Sequence, residues 1–370
     1  MSRNVHQALE YCNMCPKLCR SLCPVSNAED NEATTPWGKM SAMALLEKGE
    51  LSWVRPTTDL AYKCTQCRQC TEVCEHDIPV AEVLNRYRVQ SFERGSSPPS
   101  VYDYCKKFLK KNNPFERDLL SDVSRGFSED LLGKTRTVYF PGCSEIRWNK
   151  GVIHDLFSLF NKLGCKEAGL YPEPIQCCGY PLYAAGDLKG FRDLAEVNFH
   201  VMKNYQTILV GSPTCYYTLK FLYEEQGFRL GSHFVPLLDF LKSQVEEHNY
   251  SLKKNFRTDI VLHEACFHRS YEEGDSKASE IIQLVAGLEP VIFSGHRGMS
   301  ACCGAGGLLP VTSPDTSREV VFKQMRESKP LDLQKKWLVT TSSACAHHLK
   351  KYATSEKITH IVSYLNSCIE

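Results

Sequence analysis

The stretch Cys64-Thr-Gln-Cys67-Arg-Gln-Cys70-Thr-Glu-Val-Cys74 places four thiols in eleven residues at the spacing C-x2-C-x2-C-x3-C. In such a run the first three thiolates can grip three irons of one cubane, while the fourth is carried beyond their reach and ligates an iron of a neighbouring cluster. That geometry requires a second run, and one lies upstream: Cys12, Cys15, Cys19 and Cys23, followed by Pro24. The pattern assigns one 4Fe–4S cluster to Cys12, Cys15, Cys19 and Cys74, and another to Cys64, Cys67, Cys70 and Cys23. Cysteine quartets also suit tetrahedral zinc. Zinc sites, however, pair two Cys-x-x-Cys halves and do not crowd four thiols into one short segment. The upstream run carries three residues, Pro16, Lys17 and Leu18, between Cys15 and Cys19 where two are usual, an insertion that a loop accommodates.

The totals agree with a metal protein. The chain has 370 residues, room for two or three domains, and 19 cysteines. Residues Met1-Ser-Arg-Asn-Val-His6 have no apolar core of a secretory signal, and no stretch reaches the eighteen or so apolar residues that span a bilayer. Abundant cysteine without export points to metal ligation in a reducing compartment, so a cytoplasmic protein is expected, with any membrane attachment made through a partner. With 44 basic against 43 acidic residues, nothing in the charge balance suggests a nucleic-acid footprint. Lys106-Lys107 and Lys110-Lys111 read as a solvated helix face.

Between the cysteine runs, Pro36 and Gly49 bracket a short helix whose Met40, Met43, Ala44 and Leu46 can face a core. Another follows Cys74, from Pro79 through Val80, Val83, Leu84 and Tyr87. The first domain is therefore expected to be α-helical over residues 1–100, with its clusters contributing much of its folding energy. Gly95-Ser-Ser-Pro-Pro-Ser100 reads as a linker. Residues 101–134 read as helical connection, with Cys105 a buried small hydrophobe beside Tyr102, Phe108 and Leu109. From Thr135 short apolar strands alternate with amphipathic helices, implying parallel sheets flanked by helices, an α/β arrangement.

That block is duplicated, over 135–255 and 256–370. Val138-Tyr-Phe140 leads to Cys143 as Ile260-Val-Leu262 leads to Cys266. Cys177-Cys178-Gly179 is matched by Cys302-Cys303-Gly304. Ile208-Leu-Val210 leads through Ser212 to Cys215 as Trp337-Leu-Val339 leads through Ser342 to Cys345. The offsets are 123 from Cys143 to Cys266, 125 from Cys178 to Cys303 and 130 from Cys215 to Cys345. Three landmarks in one order mark an internal repeat. Each repeat carries four cysteines at predicted strand ends, where open α/β sheets bind ligands. Cys143, Cys177, Cys178 and Cys215 are thus candidate metal ligands, as are Cys266, Cys302, Cys303 and Cys345. Free buried cysteine explains a lone thiol but not the same four landmarks twice. Cys165 and Cys368 have no counterpart and read as free. Gly304-Ala-Gly306-Gly307 lacks the spacing of a dinucleotide loop. His347 and His348 read as an exposed helix face ahead of a role supporting a ligand, and His263 as an ordinary loop histidine as readily as a donor to cluster sulfur.

The doubled Cys…Cys-Cys-Gly…Cys block resembles the cysteine-rich domain of heterodisulfide reductase subunits. With a two-cluster ferredoxin domain in front, the layout is similar to the iron–sulfur subunits of glycolate oxidase and anaerobic glycerol-3-phosphate dehydrogenase. Thr35-Pro36-Trp37-Gly38-Lys39 stands where that group carries a Pro-x-Gly-basic segment, and His263-Glu-Ala-Cys266 matches its His-x-x-Cys element. The resemblance implies two 4Fe–4S clusters, with one or two further iron–sulfur clusters in the repeats. It also implies an electron-transfer subunit that takes electrons from a flavoprotein dehydrogenase and passes them to a quinone-reducing membrane partner or another carrier, without itself oxidising the substrate. The alternative is a catalytic disulfide or heterodisulfide reductase acting at the C-terminal site. In heterodisulfide reductase subunits the repeat ends in Cys-x-x-Cys. Here Ser212 and Ser342 hold the earlier of those positions, which counts against a five-thiolate cluster and against disulfide reduction.

Overall fold

The computed structural model describes residues 5–124, 135–165, 168–171, 177–230, 233–248, 250–253, 256–272, 276–293, 300–328, 331–333, 335–353 and 357–370. The end of the expected helical connection, 125–134, and the repeat boundary at 254–255 lie outside the described residues. The chain forms two compact units. The first comprises Met1–Lys107, Pro181–Phe191 and Ala301–Glu327; the second comprises Phe108–Tyr180, Arg192–Ser300 and Ser328–Glu370.

The first unit is helical. Thr35 caps the helix Pro36–Glu47, its hydroxyl accepting from the Gly38 amide at 2.9 Å, and Pro36 takes the first helical position, where a missing N–H costs nothing. Met40, Met43, Ala44 and Leu46 face inward, as their spacing predicts, against Val83, Leu84 and Tyr87 of the helix Val80–Glu93. Cys12 belongs to this core, and Cys64, Cys70 and Cys74 pack against it.

Arg88 holds the unit together. Its fully buried guanidinium donates to the carbonyls of Ala61 (2.9 Å), Cys64 (2.6 Å), Ala184 (2.8 Å) and Gly307 (2.9 Å). One side chain thereby fastens the Cys64 loop to the two segments that follow the Cys-Cys-Gly landmarks of the repeats. Gly307 has φ +59°, and a Cβ there would collide with the Cys64 carbonyl, so the close approach needs glycine. Gly95–Ser100, a linker by composition, is instead a packed corner: Ser97 and Pro98 are buried, the Tyr62 and Ser97 hydroxyls lie 2.7 Å apart, and Thr58 donates to the Ser96 carbonyl at 2.7 Å.

The second unit contains two four-stranded parallel sheets. The first has the order β2-β1-β3-β4, from Thr137–Phe140 (β1), Ala168–Leu170 (β2), Thr207–Val210 (β3) and Phe234–Pro236 (β4). The second repeats it as β6-β5-β7-β8, from Ile260–His263 (β5), Val291–Ile292 (β6), Trp337–Thr340 (β7) and Ile358–His360 (β8). Tyr139 sits level with Leu170 and Leu209 as Leu262 sits level with Ile292 and Val339, so the duplicated landmarks share one topology. The central strands are buried on both faces by helices, which explains their uninterrupted apolar runs. Gly151–Lys162 packs against Ile361–Cys368, and Leu237–Glu247 against Lys277–Ala286.

The last helix carries a pH-dependent cap. The buried His360 ring accepts from the Val362 amide at 3.4 Å, and burial holds its pKa down to about 4. The folded protein therefore binds this proton later than the unfolded chain does. Its contribution is complete above an unfolded pKa of about 6.5 and is lost as pH falls toward the folded value, by roughly 3 kcal/mol. Denaturant unfolding between pH 7 and 4 should show that decline, and His360→Asn, which keeps a capping acceptor without the titration, should flatten it.

Candidate metal centres

Cys23, Cys64, Cys67 and Cys70 line a single cavity in the first unit together with Pro24, Pro36, Lys39 and Arg68. The left-handed backbone at Gln66 (φ 59°) and Arg68 (φ 59°) winds the C-x2-C-x2-C run tightly enough to turn its thiols the same way. Burial pushes the Cys70 thiol well above the usual range, and Cys67, Cys64 and Cys23 add to the push. Around Cys12 a second group forms: burial raises that thiol to about 12, with Cys19, Cys15 and Cys74 close enough to contribute. Cys74 thus lies close enough to act on Cys12 and Cys19, while Cys23 acts on both Cys70 and Cys19.

The Thr35–Lys39 segment has a physical reading. Thr35 and Pro36 start the helix, and Trp37 packs under the Lys17 ammonium at 3.7 Å. Gly38 lets the helix approach the preceding turn, since a Cβ there would strike the Glu32 carbonyl. Lys39 is buried, with its Nζ donating to the Lys63 carbonyl at 2.7 Å and lying 3.6 Å from Cys23 Sγ. Burial alone would lower its pKa, but Cys23, Cys64 and Cys70 more than offset this and the net shift is upward. A buried ammonium facing Cys23, Cys64 and Cys70, with no carboxylate partner among the described residues, fits a thiolate-liganded group of net negative charge. A 4Fe–4S cluster with four thiolates is such a group.

In the first repeat all four candidate cysteines are buried in the second unit, with Cys143 Sγ 3.5 Å from Cys177 Sγ. Cys143 opens the helix Cys143–Trp148 after β1, and Cys215 lies in Pro213–Tyr217 after β3. Hydrogen bonds from Cys177 and Cys215 hold the Cys178 thiol low against its burial. Asn198 and Tyr223, which carry no metal-site signal in sequence, secure the adjacent pair through its backbone. Asn198 donates to the Cys177 carbonyl (3.0 Å) and to the Tyr223 hydroxyl (2.8 Å), which in turn donates to the Cys178 carbonyl (3.0 Å). Glu145 is buried and lines a small cavity with Cys215; burial raises its pKa to about 8, and it accepts from Tyr139 at 2.5 Å.

In the second repeat, Cys302 and Cys303 belong to the first unit and Cys266 and Cys345 to the second. Cys302 Sγ accepts from the Gly304 amide at 3.4 Å, and Ser317 donates to the Gly304 carbonyl at 3.0 Å. Cys266 opens the short 3-10 turn Cys266–Ser270, and Cys345 lies in the helix Ser343–Tyr352.

The two serines have identical roles. Ser212 and Ser342 are helix N-caps, each hydroxyl accepting from the amide of the cysteine three residues on, Cys215 and Cys345, at 3.5 Å. The positions that look like missing thiols are caps. His263 is buried at the end of β5 and bonds Thr340 at 2.9 Å, His347 stacks on Trp148 with centroids 4.2 Å apart, and His348 is buried against Tyr352. Cys105 is buried, and none of the 19 cysteines forms a disulfide.

Comparison with known proteins agrees with this layout. Residues 8–78 match the 4Fe-4S dicluster domain, and residues 137–220 and 260–350 each match the cysteine-rich domain. The chain thus joins a domain for two 4Fe–4S clusters to a duplicated cysteine-rich domain. Among its relatives is a fumarate reductase (CoM/CoB) subunit of Methanothermobacter marburgensis, 23% identical over 292 residues, covering 78% of this chain and 56% of the relative. Another is a subunit of the dihydromethanophenazine:CoB–CoM heterodisulfide reductase of Methanosarcina mazei, 24% identical over 288 residues, 74% of this chain and 69% of the relative. Lactate utilization protein A of Oceanobacillus iheyensis is 22% identical over 223 residues, 56% of this chain and 87% of the relative. The chain therefore spans little more than half of the first of these proteins. Among the described residues no helix is long and apolar enough to cross a membrane.

The hydrogen bonds behind the Cys177-Cys178 pair predict a measurable cost. Tyr223→Phe strips the Cys178 carbonyl of its buried donor and should destabilise the second unit by about 1–3 kcal/mol in urea unfolding. Asn198→Ala combined with it should cost less than the two changes summed, because they share one network.

Proposed function

We propose that this chain is the iron–sulfur subunit of an oxidoreductase complex, receiving electrons from a flavoprotein dehydrogenase and passing them to a quinone or another carrier. The observation that carries the proposal is the convergence of Cys23, Cys64, Cys67 and Cys70 on one cavity beside a buried lysine that has no carboxylate partner among the described residues. Iron–sulfur clusters supply one-electron acceptance and release at potentials set by their surroundings. The chain's own part is to hold eight thiolates in two groups, exclude water and supply the surrounding charge. The proposed ligands are Cys12, Cys15, Cys19 and Cys74 for one cluster, and Cys64, Cys67, Cys70 and Cys23 for the other. The duplicated cysteine landmarks extend the proposal to further iron–sulfur sites in the repeats. A flavin that releases two electrons and its protons would hand the electrons over singly and leave the protons to solvent. The proposal places the protein in the cytoplasm, at the inner membrane face where its acceptor is a quinone-reducing partner.

A disulfide reductase would need a site where substrate sulfur meets a cluster or an activated thiolate. The serine caps put no thiol at the positions where such subunits carry one more.

Anaerobically purified protein should contain about eight irons per chain from the two N-terminal clusters, and more with the repeats occupied, with acid-labile sulfide matching iron. Stoichiometric zinc without sulfide would refute the assignment. Cys74→Ala should damage the cluster held by Cys12, Cys15 and Cys19 and spare the other; loss of the Cys64 cluster alone would refute the crossed ligand sets.

Stopped-flow mixing with reduced flavoproteins tests the direction of transfer. Cluster bleaching, without turnover of small disulfides by a chemical reductant, is the expected outcome. Rapid disulfide turnover that disappears in Cys303→Ala, with no response to any flavoprotein, would favour the reductase.

A further inference from the structure

The two groups of thiols in the first unit sit in unequal fields. Four cations lie near the Cys23–Cys64–Cys67–Cys70 cavity, and two of them are neutralised: Lys63 pairs with Glu29, and Arg68 with Glu82 at 2.7 Å. The other two are buried and unopposed by any carboxylate among the described residues. Arg88 spends its hydrogen bonds on four backbone carbonyls, one of them that of Cys64. Lys39 faces the thiols directly, from 3.6 Å at Cys23 Sγ. Among the described residues the upstream group has no such neighbour. Lys17 is only partly buried over Trp37, and Arg20 is exposed and paired with Glu32. The largest influences on Cys12 and Cys19 besides burial are other thiols.

A buried cation stabilises the reduced form of a neighbouring cluster more than the oxidised form, because reduction adds one negative charge. An N–H donated to ligand sulfur acts in the same direction. We propose that Lys39 is a fixed charge that raises the reduction potential of the cluster held by Cys23, Cys64, Cys67 and Cys70 above that of its neighbour, making it the place where electrons collect in the N-terminal unit. Lys39 is a positioning residue, not a ligand: it acts through Cys23 and through the carbonyl of Lys63, the residue that introduces the Cys64 loop. The inference rests on the ligand sets proposed above.

The test is a potentiometric titration followed by electron paramagnetic resonance, with iron content measured alongside, on wild type, Lys39→Met, Lys39→Gln and Lys39→Arg. Met preserves length without charge, Gln preserves a donor without charge, and Arg preserves charge. The neutral variants should lower the potential of one cluster and leave the other unmoved. The expected shift is at least tenfold in that cluster's reduction equilibrium, about 59 mV for one electron. Lys39→Arg should restore most of it. Unchanged potentials in fully loaded neutral variants would overturn the proposal, and so would loss of that cluster's iron in both neutral variants, which would assign Lys39 to assembly instead. A wild-type protein without two reducible clusters would instead refute the ligand reading itself.

Discussion

Thiolates repel, and a protein interior does not screen them. Four cysteines drawn together in a buried pocket stay protonated, as the raised Cys12, Cys19 and Cys70 show, unless positive charge meets them. A metal core supplies most of that charge, and the protein can add to it or withhold it. The N-terminal unit is organised by this constraint. Its helices are short, its apolar core includes the thiols themselves, and its one buried lysine points at them. A domain built so has little apolar surface to bury on its own. Its compactness is completed by Pro181–Phe191 and Ala301–Glu327, drawn from the repeats and fastened by Arg88. A buried guanidinium satisfied by carbonyls alone is costly to set up and costly to break, since removing it strands four acceptors at once.

Much of this architecture is legible in the chain and some is not, for identifiable reasons. The central strands β1, β3, β5 and β7 announce themselves as apolar runs because helices cover both their faces. The edge strands are two or three residues long, as in Ala168-Gly-Leu170 and Ile358-Thr-His360, and exist only through pairing with a central neighbour. Gly95–Ser100 has the composition of a linker, and nothing local reveals that Thr58, Tyr62 and Tyr102 engage its backbone and hydroxyls. The eight N-terminal thiols carry their chemistry in their spacing. Lys39 and Arg88 do not, because a lone basic residue on a helix normally marks a solvated face. Asn198 and Tyr223 work through backbone carbonyls, which leave no side-chain pattern to find.

The serines show how one substitution can be read in two ways. Set beside a Cys-x-x-Cys ending, Ser212 and Ser342 look like deletions. Set beside helix chemistry, a Ser directly ahead of a helix start is a capping residue whose hydroxyl accepts a backbone amide three residues on. Both readings describe the same charge. Each serine puts a neutral hydroxyl where a fifth thiolate would stand, and that hydroxyl accepts from the amide of Cys215 or Cys345. In the longer of the two helices, Ser343–Tyr352, Cys345 lies in the first helical turn and is buried. The duplicated cap therefore leaves each repeat with a neutral hydroxyl in place of one more thiol. Such a setting suits a metal centre that takes up and releases an electron with its ligands unchanged, and suits less well a centre that must open to bind substrate sulfur.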